Sequence, residues 1–224
     1  MKKVIVGFCC LAGLLSFLTA SAEVYVWTGA SDAKWTNKDN WTVNGQPAEK
    51  FPGVAYSSGH GHSTGTANLT EEWAAWETES DTAVFDATGA ARTTIDLGEF
   101  FSISNVVIQG ADAPSYTFGT SSTQILPLKS NGEIRIAEEV AADQRIAAVT
   151  AAGIGTRGNA TEKGFITFRN NSTQGAVLRH FEVAMVRKAL GLTAQWVETQ
   201  VGYYGTGDFE IGGKCRNWSG EPPT

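Results

Sequence analysis

The sequence Glu133-Ile134-Arg135-Ile136 alternates charged and apolar side chains, and Asp208-Phe209-Glu210-Ile211 repeats this pattern toward the C-terminus. Successive side chains of a β-strand point to opposite faces of the sheet, so the alternation predicts strands with one buried and one solvated face. Both stretches are flanked by glycine, which favours turns. They therefore favour an all-β chain of short strands and turns.

Most of the chain after residue 80 continues in this way. Further strand-like runs are Ala83–Phe85, Thr93–Leu97, Phe101–Ile108, Tyr116–Phe118, Gln124–Leu128, Arg145–Val149 and Phe165–Phe168. Two segments also fit a helix, the alanine-rich Glu138–Ala152 and the region of Phe181, Met185 and Leu192, although their β-branched residues suit strands equally well. We expect an all-β fold with at most one or two short helices, arranged as a solenoid or a sandwich.

The composition excludes two classes of protein. The chain has 224 residues, of which 42% are hydrophobic and 18% are charged, and its net charge is -6. A disordered chain would have fewer apolar residues and a higher net charge for its size. An acidic chain without a basic block repels phosphate, so a nucleic-acid partner is not expected.

The first residues have the three parts of a secretory signal peptide. Lys2 and Lys3 are followed by the apolar run Val4–Leu18 and by the small residues Ala20-Ser21-Ala22. The apolar run is shorter than the ~20 residues that a membrane span needs. We therefore predict a cleaved signal peptide over residues 1–22 and an exported product without a transmembrane segment.

Residues 23–79 form a tryptophan-rich region. It contains five of the seven tryptophans, namely Trp27, Trp35, Trp41, Trp73 and Trp76. Val24–Trp27 and Trp41–Val43 are predicted strands, and the latter is followed by Asn44-Gly45, a strong signal for a tight hairpin turn. Residues 52–68 have the composition of a loop. This region is set apart from the strand-rich residues 80–224.

Two stretches carry a resemblance to a known family. Val26-Trp27-Thr28-Gly29, Trp35 and Asn40-Trp41, followed by Ser80–Phe85, resemble the opening of secreted bacterial proteins with autotransporter-associated β-strand repeats. Gly205–Gly213 and Asn217-Trp218-Ser219-Gly220 are similar to the start of one such repeat. The resemblance implies a right-handed parallel β-helix over residues 80–224 with a tryptophan-rich cap over residues 23–79. A β-sandwich is the alternative fold.

The same resemblance implies a function without catalysis or cofactor. We expect an exported structural or adhesive protein at the outer surface of a bacterium, in the medium or in the periplasm, which contacts glycans or a host surface. Here 38 residues separate Trp41 from Ser80, more than is usual in the family, so this segment is a candidate insertion. Because a repeat begins at Gly205 and the chain stops at Thr224, we expect a truncated solenoid.

Two pairs of side chains are candidate binding residues. Trp73 and Trp76 lie among carboxylates, as in many carbohydrate-binding modules, but a spacing of three also places both rings on one buried helical face. His60 and His62 offer two imidazoles to a metal ion, or belong to a solvated loop of glycine and serine. A carbohydrate-binding module is therefore the alternative function.

A polysaccharide-active enzyme is the third hypothesis, and we assign it no catalytic residue. Hydrolysis needs two carboxylates on neighbouring strands, and lyase action also needs a basic residue. The charged residues that would share the outer face of a solenoid are Asp96, Glu99, Glu133, Arg135, Arg169 and Glu210. No spacing selects a pair among them. His180 is predicted to be a structural or surface histidine.

Overall fold

The computed structural model describes residues 22–55, 80–98, 101–154, 164–190, 193–196 and 199–218. The described part of the chain is all-β, and its helical structure is limited to two 3-10 helices, Lys38–Asn40 and Ala87–Gly89. The strands are β1 (Val24–Trp27), β2 (Trp41–Val43), β3 (Gln46–Pro47), β4 (Val54–Ala55), β5 (Thr82–Phe85), β6 (Thr94–Ile95), β7 (Phe101–Ile108), β8 (Thr117–Phe118), β9 (Ile125–Ile136), β10 (Gln144–Ile154), β11 (Gly164–Asn170), β12 (Val177–Leu190), β13 (Thr193–Trp196), β14 (Thr199–Gly205) and β15 (Asp208–Trp218). The predicted signal peptide lies outside these ranges, apart from Ala22.

Strands from successive passes of the chain pair in parallel to form a first ladder. It consists of β1, β5, β7, the second half of β9, β11 and β14. Its register aligns an inward row of six residues: Tyr25, Ala83, Val106, Ile134, Phe168 and Tyr203. The first five of these are buried. The row therefore forms a continuous stack through the core.

Two more parallel ladders use the other parts of the long strands. The second joins β6, β8 and the first halves of β10, β12 and β15, and aligns Ile95, Phe118, Ile146, His180 and Ile211. The third joins the first half of β9 to the second halves of β10, β12 and β15. Register shifts within β10 and β12 separate these two ladders. Among the described strands, antiparallel pairing is confined to β2, β3, β4 and β13 with their neighbours.

Three tryptophans are buried together at the start of the first ladder. Trp41 packs edge-on against Trp27 and against Trp35, with ring centroids 5.0 Å apart in both pairs. Trp35 stacks on Phe101 at 4.9 Å, and all three indoles contact Phe85. Aromatic rings bury large apolar areas, so this cluster forms a dense aromatic end of the continuous core.

Each of these indoles also donates a hydrogen bond to a backbone carbonyl. The Nε1–H groups of Trp27, Trp35 and Trp41 bond the carbonyl oxygens of Arg92, Pro52 and Trp35, at 3.0, 3.1 and 2.7 Å. A buried indole N–H without a partner would be destabilising. The bonds therefore let the rings lie in the core, and they tie it to chain segments far apart in sequence.

The predicted strands are confirmed where the structure describes them. Phe101–Ile108 is a strand over its full predicted length, and Asn44-Gly45 closes the β2–β3 hairpin with φ of 52° and 75°. Of the two segments with helical spacing, residues 144–152 and 177–190 are strands β10 and β12. Parallel neighbours on both sides hold them extended, which overrides their weak helical pattern.

Candidate functional site

The four binding residues predicted from the sequence lie outside the described residues. Trp73, Trp76, His60 and His62 all belong to the segment 56–79. Their roles in sugar or metal binding therefore stay predictions. Within the described ranges, no group of three or more His, Cys, Asp or Glu side chains is placed to hold a metal ion.

A different cluster lies on the outward side of β9, β11 and β14. The register places Arg135 beside Arg169 and Arg169 beside Tyr204. One row away it places Glu133 beside Thr167 and Thr167 beside Gly202. Because side chains alternate between faces, these rows point away from the buried stack of Ile134, Phe168 and Tyr203. We call the cluster of Glu133, Arg135, Phe165, Arg169, Gly202 and Tyr204 the Arg–Tyr face.

Gly202 shapes the aromatic part of the Arg–Tyr face. A Cβ atom at this position would lie 2.4 Å from Cε2 of Tyr204 and 3.0 Å from Cζ of Phe165. The ring of Tyr204, two residues further along β14, and the ring of Phe165 on the neighbouring β11 therefore lie over the backbone of Gly202, in space that the side chain of any other residue would fill. Tyr204 is nevertheless 48% exposed and Phe165 is half-buried. The two rings thus form an aromatic platform that lies close to the backbone of β14 and is open to solvent.

Charged groups border this platform. Nε of Arg169 lies 3.1 Å from Oε2 of Glu133, and Nε of Arg135 lies 3.9 Å from Oε1 of the same carboxylate. The Arg169 guanidinium also lies over the Tyr204 ring, 5.4 Å from its centroid, in a cation–π contact. The three side chains Arg135, Arg169 and Glu133 are 46%, 36% and 26% exposed. Two cations thus share one carboxylate, which leaves a local excess of positive charge.

The sequence predicted part of this face. Glu133, Arg135 and Arg169 were expected on a common outer face, and the structure brings them together. Glu210 lies elsewhere, with Arg179 on the second ladder, and Asp96 accepts a hydrogen bond from Gln124. Glu99 lies outside the described residues. Phe165, Gly202 and Tyr204 were missed, and their only signal is the alternation of residues along β11 and β14.

A second group of charges lies on the outward side of the second ladder. Arg179 on β12 bonds Asp143, before β10, and Oε2 of Glu210 on β15 at 2.6 Å. The hydrogen bond from Arg179, together with that from the backbone N–H of Val177, lowers the pKa of the Asp143 carboxyl. The guanidinium is shared between two carboxylates, so this group holds three passes of the chain together and leaves a local excess of negative charge, opposite in sign to that of the Arg–Tyr face.

Among the described residues, Glu139 and Asp143 have carboxyl groups whose lowered pKa does not suit general-acid catalysis. A hydrogen bond from the backbone N–H of Gly110 lowers the pKa of Glu139, as Arg179 does for Asp143. A carboxylic acid that protonates a leaving group near neutral pH needs a raised pKa instead. These two groups therefore remain ionised and act in hydrogen bonds that join neighbouring passes.

His180 is a member of the core rather than of a site. It is 2% exposed, and its ring lies nearly parallel to those of Phe168 and Tyr203, with centroid distances of 4.6 and 5.7 Å, while these two rings are 5.4 Å from each other. Its Nε2 atom and the Tyr203 hydroxyl share a hydrogen bond. Burial lowers the pKa of His180 to about 4. The imidazole is therefore neutral at physiological pH, which confirms the prediction of a structural histidine.

Buried amide side chains are a structural device that the sequence reasoning missed. Gln144 accepts from the N–H of Tyr116 at 2.9 Å and donates to the carbonyls of Pro114 and Ala142. Asn170 does the same between its own turn and Asp208 of the following pass. Both amides lie at strand ends and bond backbone groups of the adjoining turns, and an amide side chain at this position is the signal that would have identified them.

No family model, no curated protein and no solved structure matches this chain. The resemblance to proteins with autotransporter-associated β-strand repeats therefore rests on the residues that carry it, which include Trp27, Trp35 and Trp41. In the part of the chain that the structure describes, no helix is long and apolar enough to cross a membrane.

Proposed function

We propose that the chain is an exported, non-catalytic structural or adhesive protein, built as the opening of a right-handed parallel β-helix passenger. The observation that supports this most is the three parallel ladders, in which inward rows such as Val106, Ile134, Phe168 and Tyr203 stack from pass to pass. Stacked parallel passes are the basis of a β-helix, whereas β-sandwiches are built mainly from antiparallel strands.

The tryptophan cluster supports the proposed cap. The first pass of a β-helix has no earlier pass to cover its apolar end and its unpaired backbone groups. Trp27, Trp35 and Trp41 pack at that end of the first ladder against Phe85. Two of them lie in the antiparallel β1–β2–β3 unit, whose strand β1 also pairs in parallel with β5 and so begins the first ladder.

Export is tested by expressing the full chain in a Gram-negative bacterium. We expect the leader to be removed after Ala22, so that mass spectrometry of the purified protein finds Glu23 at the N-terminus and no cytoplasmic pool accumulates. The matched control replaces Lys2 and Lys3 by Glu, which removes the positive start of the signal and retains the uncleaved chain in the cytoplasm. An uncleaved wild-type chain in the cytoplasm would contradict the proposal.

The fold is tested by cross-linking cysteines at positions that the register pairs on neighbouring strands. In the parallel ladders Asn105 lies beside Glu133 and Thr117 lies beside Arg145, and neighbouring strands are about 4.8 Å apart. We therefore expect the double variants Asn105→Cys/Glu133→Cys and Thr117→Cys/Arg145→Cys, each with Cys215→Ser, to react with a short thiol cross-linker. An antiparallel sandwich would not pair these positions, and the absence of both cross-links would replace the β-helix by the alternative fold.

A further inference from the structure

We infer that the Arg–Tyr face is a binding surface for a carboxylated glycan, a chain of sugars that bear uronate-type carboxylates. The inference rests on the proposed adhesive function and names its ligand class. It depends on the residues that β9, β11 and β14 bring together, and not on the tryptophans Trp73 and Trp76 that the sequence had suggested.

The aromatic platform supplies the contact with the sugar ring. Sugar rings present apolar C–H faces, which pack on flat aromatic side chains. Tyr204 lies across Gly202 beside Phe165, and Arg169 contacts its ring at 5.4 Å, so the ring has a fixed position before any ligand arrives. A preorganised ring loses little conformational freedom on binding. Its 48% exposure leaves area for a ligand.

The guanidinium groups supply the charge selectivity. Arg135 and Arg169 present forked donors that match a planar carboxylate, and both side chains are more than a third exposed. Glu133 neutralises only one of the two. Because the whole chain has a net charge of -6, an anionic ligand is repelled by most of the surface and is attracted to this excess of positive charge.

The geometry fits an extended chain rather than a single small anion. Arg135, Arg169 and Tyr204 lie on three adjacent strands, and each strand spacing is about 4.8 Å. These three outward side chains thus span roughly two sugar units of the ligand. One sugar would place its carboxylate against the two arginines, and the next would place its ring on Tyr204. The forked donors of Arg135 and Arg169 match the two coplanar oxygens of a carboxylate, which favours a carboxylated glycan over a sulfated one.

Isothermal titration calorimetry of the full mature chain tests the inference with three probes. They are a hexamer of galacturonate, the same hexamer with its carboxylates methyl-esterified, and a sulfated galactan oligomer of similar length. We expect binding of the galacturonate hexamer and at least about tenfold weaker binding of the ester, since a charge-assisted hydrogen bond contributes that much. Equal binding of the ester, tighter binding of the sulfated probe, or no binding of any probe would overturn the inference.

Variants locate the binding on the Arg–Tyr face. We expect Arg169→Lys, which keeps the charge but loses the fork, and Tyr204→Ala each to weaken binding about tenfold, while Tyr204→Phe keeps it. Gly202→Ala displaces only the ends of two side chains, so it should leave the fold intact and weaken binding as well. The matched control is Arg145→Gln, which removes one exposed cation from the second ladder. An equal loss in this control would overturn the inference.

The outcomes separate this inference from the proposed function. If the chain is exported and processed but binds none of the probes, the proposed function stands and the inferred ligand class is wrong. If the chain stays in the cytoplasm but binds the galacturonate hexamer through Tyr204 and Arg169, the inferred binding surface stands and the proposed exported role is wrong.

Discussion

At the residue scale, His180 occupies a position that aliphatic or aromatic residues hold in the other passes. Ile95, Phe118 and Ile146 precede it in the same inward row, and Phe168 lies against its ring. Its Nδ1 atom is buried without a hydrogen-bond partner. Burial disfavours the imidazolium ion, which is why the pKa of His180 falls to about 4.

This shift predicts a dependence of stability on pH. The unfolded chain takes up the proton near pH 6.5, whereas the folded protein does so only near pH 4. Between these values the unfolded state binds more protons, so the free energy of unfolding decreases as the pH falls, by up to about 1.4 kcal/mol per pH unit. Urea unfolding of the wild type at a series of pH values measures the slope.

The variant His180→Phe isolates the histidine from the carboxylates that titrate in the same range. In the variant, we expect the free energy of unfolding to lose most of its dependence on pH between about pH 6.5 and 4. Tyr203→Phe serves as the control, because it removes the hydroxyl but leaves the buried imidazole in place. An unchanged slope in His180→Phe would show that the histidine titrates normally in the fold.

Asn170 provides a second test at the residue scale. It is fully buried, its Nδ2 atom donates to the carbonyls of Ala176 and Asp208, both at 2.8 Å, and its Oδ1 atom accepts from the N–H of Ser172 at 3.1 Å. Asn170→Leu would leave these backbone groups without their partner. Each unsatisfied buried group costs about 1–3 kcal/mol, so for these three groups we expect the free energy of unfolding to decrease by at least about 3 kcal/mol.

Chemical denaturation measures that loss. The neighbouring Asn171→Ala is the matched control, and we expect it to change the free energy of unfolding by less than about 0.5 kcal/mol. Similar stabilities of Asn170→Leu and of this control would mean that the amide does not join the two passes.

At the element scale, the predictions succeeded where a strand is apolar on its own. Phe101–Ile108 is rich in β-branched and aromatic residues, and the strand has these bounds. Residues 144–152 were ambiguous because alanine favours a helix while Ile146 and Val149 favour a strand. Only the neighbouring strands on both sides, which are distant in sequence, decide the outcome.

The tryptophan cluster gives the prediction at this scale. Trp35 is fully buried, stacks on Phe101 and donates to Pro52, so Trp35→Ala creates a large cavity and leaves a carbonyl unsatisfied. We expect Trp35→Ala to lower the free energy of unfolding by about 3–5 kcal/mol. Trp35→Phe keeps part of the stacking and should lower the free energy of unfolding by less. Differential scanning calorimetry measures both variants.

An exposed residue of the same region provides the control for this cavity. Val24 is 54% exposed at the start of β1, so Val24→Ala should change stability by less than about 0.5 kcal/mol. A cost below about 1 kcal/mol for Trp35→Ala would show that the aromatic cluster is not a stabilising cap.

At the scale of the whole molecule, the sequence predicts which residues face outward but not which of them meet. The alternation in Glu133–Ile136 placed Glu133 and Arg135 on the solvated side. Their contact with Arg169 and Tyr204 depends on the register between passes, and the turns between passes differ in length. That register is a property of the assembled core and is not visible in any single stretch of the sequence.

The alternation along β9, β11 and β14 makes the recognition chemistry separable from the stability of the protein. Positions 134, 168 and 203 pack the interior, whereas positions 135, 169 and 204 meet solvent. A change at the second set leaves the first set untouched, because neighbouring side chains of a strand lie on opposite faces. The scaffold is therefore suited to engineering: libraries at the three outward positions would alter ligand preference while the interior remains as it is.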